Sequence, residues 1–145
     1  MHEILSMPEV DWTRFFREYA AANQAHDAAR VAAFYADGFL VAGPTGARTF
    51  KNDDTFREWL GQLFHFNEQV GLECLDVAGV RASEIDERHV LVAVDWVMRF
   101  SKTEAGPVPF RICYIVSLVD SESPKLIGYI SQQDQQDLMK RRGLI

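Results

Sequence analysis

The sequence predicts an α+β domain: three helices first, then an antiparallel sheet, with the helices covering one sheet face. Two observations carry that reading. From Trp12 to Phe64 the apolar residues recur at the spacing of a single helix face, and from Val70 onwards they alternate with a period of two. The links between the alternating runs are short and polar, as hairpins require.

The first helix is expected to begin near Ser6, where Ser6 and Glu9 have capping-box spacing and Pro8 falls in the first turn. Its stripe is Trp12, Phe15, Phe16, Tyr19 and Ala20. Asp27 can cap a short second helix through Ala28, Val31, Ala32, Phe34 and Tyr35, with Gly38 placed to end it. The run Phe39-Leu40-Val41-Ala42 reads as a strand closed by the turn Gly43-Pro44-Thr45-Gly46. Asn52, Asp53 and Asp54 offer caps for a third helix, whose apolar face is Phe56, Trp59, Leu60, Leu63 and Phe64.

Four strands follow, Val70 to Ala82, His89 to Ser101, Val108 to Val119 and Leu126 to Gln133. A short helix from Gln135 to Arg142 completes the chain. Alternation assigns the faces. Val90, Val92, Val94, Trp96, Met98 and Phe100 share one side, as do Phe110, Ile112, Tyr114, Val116 and Leu118, and these sets should meet the helices. The opposite face still carries Val97, Ile115 and Val119 beside Asp95 and Arg99. Something should cover it, and a second copy of the chain is the expected cover, giving a homodimer.

Composition bounds the function. At 145 residues the chain reads as one domain, with 48% hydrophobic and 25% charged residues. A net charge of −6 argues against nucleic acid, and the basic run Lys140-Arg141-Arg142 is too short to reverse that. No stretch reaches the ~18 apolar residues of a membrane span, and Met1-His2-Glu3-Ile4-Leu5 lacks the pattern of a signal peptide. Cys74 and Cys113 lie in apolar, strand-like sequence without ligand spacing, so buried free thiols in the cytoplasm are expected. No phosphate loop, nucleophile elbow or zinc pattern occurs; no metal and no cofactor are expected.

The stretch Phe15-Phe16-Arg17-Glu18-Tyr19-Ala20-Ala21-Ala22-Asn23-Gln24-Ala25-His26-Asp27 resembles the first helix of the nuclear transport factor 2-like superfamily. Val31 to Val41 resembles its second helix and first strand, and the whole chain follows its order of elements. Within it, the chain is most similar to the SnoaL-like (polyketide cyclase) and ketosteroid-isomerase-like branches. The resemblance implies a cone-shaped, cystatin-like fold, a curved sheet enclosing a pocket, and commonly a homodimer across the outer sheet face.

It also implies site positions. Tyr19 stands where ketosteroid isomerases place an oxyanion-binding tyrosine, a role a buried phenol suits. Their catalytic base would fall at Gly43, before Pro44, and their second donor near Tyr114 or Ile115, so isomerase chemistry of that type is rejected. Asp134 matches the acidic position of epoxide hydrolases and cyclases in the superfamily, although Asp95 has Ala93 where their paired residue would be. His65 is a third candidate acid or base. The pocket wall is expected from Phe34, Trp59, Trp96, Met98 and Tyr114. Each catalytic candidate has a plainer reading: Tyr19 as core, Asp134 as a helix cap, His65 as a rim residue. Three functions stay open, namely a small-molecule isomerase, cyclase or dehydratase, a module that binds a small apolar molecule, and an accessory subunit with a vestigial pocket.

Overall fold

The computed structural model describes residues 10–119 and 123–145. The capping box Ser6–Glu9, Pro8, and residues 120–122 of the last link lie outside them. Helix α1 (Trp12–Gln24) has Asp11 as its N-cap, whose Oδ1 accepts from the Arg14 amide at 3.0 Å. Asp27 caps α2 (Ala28–Ala32) through the Arg30 amide at 3.1 Å, as expected.

Helix α2 is shorter than its apolar stripe suggested. The Asn52 side chain donates to the carbonyls of Ala32 at 2.8 Å and Tyr35 at 3.0 Å, closing the helix end and turning the chain. Tyr35 therefore opens strand β1 (Tyr35–Gly43) instead of lying on a helix. Strand β2 (Gly46–Lys51) was not anticipated; only Phe50 in it is half-buried, so it has no apolar alternation to read. Helix α3 (Asp54–Gln69) is capped by Asp53 through the Phe56 amide. Strands β3 (Leu72–Asp86), β4 (His89–Phe100), β5 (Val108–Ser117) and β6 (Lys125–Ser131) follow, then α4 (Gln135–Arg141).

The six strands form one open, curved sheet in the order β2-β1-β6-β5-β4-β3. It is antiparallel with one exception that corrects the expectation: β1 and β6 run parallel. They are joined by a crossover through α3 and the meander, which no hairpin reading could supply. Gly128 makes that pairing close, since a Cβ there would sit 3.2 Å from the Leu40 carbonyl oxygen.

The inner face is as alternation assigned it. Val90, Val92, Val94, Trp96, Met98 and Phe100 are buried against α1 and α3, with Phe110, Ile112, Tyr114 and Val116 beside them. On the outer face Asp95 pairs with Arg111, its register neighbour, at 2.7 Å, and not with Arg99. Cys74 and Cys113 are half-buried free thiols on that outer face, less enclosed than their apolar neighbours implied.

Candidate functional site

All four tyrosines of the chain meet inside the fold. Tyr19 projects from the buried stripe of α1, Tyr35 from the first residue of β1, Tyr114 from β5 and Tyr129 from its register partner on β6. The Tyr19 and Tyr35 hydroxyl oxygens are 2.5 Å apart, one donating to the other. Trp96 Nε1–H donates to the Tyr114 hydroxyl at 3.0 Å. The rings of Tyr114 and Tyr129 lie 5.6 Å apart, and those of Tyr19 and Tyr114 lie 6.1 Å apart edge-on.

Burial governs the electrostatics. It pushes the Tyr19 phenol up to about 12, against the opposing bond with Tyr35. It raises Tyr35 and Tyr114 well above the usual phenol range, with the neighbouring tyrosines adding to the effect, and raises Tyr129 too. All four phenols are neutral donors near pH 7. Among the described residues no charged or strongly polar side chain is buried with them.

A proton count defines what the cluster can do. Of four phenol protons, the Tyr19–Tyr35 bond uses one, and Tyr114 receives from Trp96 without giving. Three donors are left without a protein acceptor among the described residues. Because no fully buried side-chain oxygen among the described residues lacks a partner, the Tyr129 hydroxyl, which bonds to none of them, reaches open space.

Of the residues singled out in the sequence, Tyr19, Trp96 and Tyr114 are brought together, with Tyr19 6.3 Å from Trp96 ring to ring. Phe34 packs edge-on to Tyr19 at 5.4 Å, and Met98 is buried on the Trp96 face. Trp59 belongs to a neighbouring group with Phe50 and Phe56, linked to the cluster through the Tyr35–Phe56 contact. His65 is exposed on α3. Asp134 is the N-cap of α4: its Oδ1 accepts from the Gln136 amide at 3.0 Å and the Asp137 amide at 3.2 Å. Those bonds fit the helix-cap reading.

Tyr35 and Tyr129 were missed. Tyr35 was counted into the α2 stripe, and Tyr129 was left on a strand without a face, although pairing it with Tyr114 would have placed it inward. A groove of about 430 Å³ lies apart from the cluster, between α1 and the β3–β4 edge, and no tyrosine lines it.

Residues 16–122 match the sequence profile of the SnoaL-like domain. No curated protein matches the chain. Among solved structures, an experimentally determined nuclear transport factor 2-like protein with a cystatin-like fold from Novosphingobium aromaticivorans is similar at a TM-score of 0.68, with 9% identity, covering 93% of this chain and 86% of that one. A nuclear transport factor 2-like protein of unknown function from Shewanella oneidensis gives 0.66 at 13% identity, covering 85% and 97%. A candidate scytalone dehydratase from Novosphingobium aromaticivorans gives 0.59 at 15%, covering 81% and 78%. At such identities the likeness is one of fold.

Proposed function

Because the chain belongs to the SnoaL-like domain family, we propose that it holds a small apolar or aromatic metabolite against its tyrosine cluster, with a ligand oxygen accepting the spare phenol protons. The observation that carries this is the donor surplus: among the described residues three phenol protons have no protein acceptor, and a carbonyl oxygen is a neutral group that can use them. A carboxylate ligand suits the cluster less, because no buried cation would balance its charge among the described residues.

The module binds without transforming its ligand. Isomerisation, cyclisation and dehydration all need a proton acceptor beside the donor. Asp134 is engaged at a helix end and His65 is exposed, so neither supports that role. A second reading, acid catalysis by the tyrosine pair, is favoured only by the short 2.5 Å Tyr19–Tyr35 bond. The test is affinity and turnover measured together on a panel of flat apolar ketones. Binding without turnover fits the module; turnover lost in Tyr19→Phe fits the second reading.

The proposal includes a cytoplasmic homodimer joined through the outer sheet face. The half-buried free thiols are consistent with a reducing compartment. Leu40 and Ile130 are exposed on the same face as Ile115 and Cys113 by strand register, which supports an apolar interface. Light scattering should give twice the chain mass at micromolar concentration; a monomer mass contradicts it. No described helix is long and apolar enough to cross a membrane.

A further inference from the structure

We infer that the groove between α1 and the β3–β4 edge is a second binding site, specific for a small organic anion with an apolar body, such as an aryl carboxylate or sulfonate. At about 430 Å³ it falls within the ~300–1,000 Å³ span of small-ligand sites. Its lining is mixed: Ala20 on α1 with Leu75, Val77 and Val97 on the strands is apolar, and Arg17, Gln24, Asp76 and Arg99 are polar. Ala78, also in the lining, occupies a bulge where β3 has one residue more than β4 between Val77 and Gly79.

The polar groups around it are mostly donors. The Gln24 carbonyl is already spent on the Leu75 amide at 3.1 Å, and one of its amide protons goes to Ala20 O at 3.4 Å, which leaves one proton. The Asp76 carboxylate accepts from Cys74 Sγ at 3.2 Å and stands 3.9 Å from Arg99 Nε, a loose approach. Arg17 forms no ion pair among the described residues. Two guanidiniums against one carboxylate give the groove a charge of +1, on a chain whose net charge is −6. Asp76 is the groove's one carboxylate, which leaves a guanidinium whose fork matches a carboxylate or sulfonate. An apolar body behind that anion would lie against Ala20, Leu75 and Val77. This site is independent of the tyrosine cluster: it is charged where the cluster is neutral, and it takes an anion where the cluster takes a carbonyl.

The test uses the full chain and two probes of nearly the same shape, 1-anilinonaphthalene-8-sulfonate and the uncharged N-phenyl-1-naphthylamine. Arg17 is the informative position, because it lies on α1, whereas Val97 and Arg99 also belong to the sheet face proposed for self-association. Arg17→Gln should weaken the sulfonate by at least about tenfold, as expected for a charge-assisted contact, and change the neutral probe less than about twofold. Ala78→Leu should weaken both by filling the groove, and salt should weaken the sulfonate alone. The proposal is overturned if the wild type does not bind the sulfonate, or if either Arg17→Gln or Ala78→Leu binds it as wild type does.

Discussion

The hydroxyl of Tyr19 on α1 and the hydroxyl of Tyr35 at the start of β1 meet at 2.5 Å in the interior, joining the first helix to the sheet by a bond between two neutral phenols. Either can donate, so one proton of the pair is always available to a third group. Removing one hydroxyl takes away the bond and leaves the other phenol buried beside a ring. Tyr19→Phe and Tyr35→Phe should each lower stability by roughly 1–2 kcal/mol in chemical denaturation, and the double variant should cost less than their sum. Strict additivity would mean the two hydroxyls do not interact.

The raised phenols make stability sensitive to alkali. Tyr19 titrates near 10.0 in the unfolded chain and at about 12 in the fold, so its contribution is fully present below pH 10 and is lost as pH rises to 12. That shift corresponds to roughly 3 kcal/mol. The melting temperature should be flat through neutral pH and fall steeply above pH 10. Spectroscopic titration of the native protein should show almost no tyrosinate at pH 10; a full tyrosinate signal there contradicts the buried cluster.

Asp134 serves α4, and its substitutions should read accordingly. Asp134→Ala should cost about 1 kcal/mol in thermal unfolding, whereas Asp134→Asn, which can still cap, should stay within a few tenths of wild type. Ligand affinity should be unchanged in both. An affinity loss in Asp134→Asn with normal stability would return Asp134 to the site.

Asn52 holds the place where Tyr35 leaves the helix. Its side chain satisfies two carbonyls, those of Ala32 and Tyr35, and its own amide donates to Asp37 O at 2.8 Å. Asn52→Ala should cost about 2 kcal/mol and lower ligand affinity with it, because Tyr35 is then less firmly placed. Wild-type stability in that variant would show that water replaces both bonds.

Asn52 also marks the limit of what patterning reveals. The inner faces of β4 and β5 were readable because every second residue is apolar for ten or more positions, and burial follows that period strictly. Asp27 and Asp53 were readable as caps because a carboxylate sits three residues before the amide it accepts from. The end of α2 was not, since Phe34 and Tyr35 continue the helical stripe and only a contact from Asn52, far along the chain, stops it. Strand β2 is almost wholly solvent-facing, so alternation had nothing to act on. Of the site, Tyr19, Trp96 and Tyr114 were legible from face assignment, while Tyr129 depended on register across β5 and β6.

The central claim is that the cluster receives a ligand oxygen, and Trp96 can report it directly. With Trp12 and Trp59 changed to Phe, Trp96 is the sole emitter among the three tryptophans, and its indole already donates into the cluster. The decisive measurement is titration of that protein with a flat apolar ketone and with the hydrocarbon of the same shape. The account predicts saturable change with the ketone, at least about tenfold tighter than the hydrocarbon, and loss of that difference in Tyr35→Phe. Equal binding of ketone and hydrocarbon, or no response to either, would contradict it.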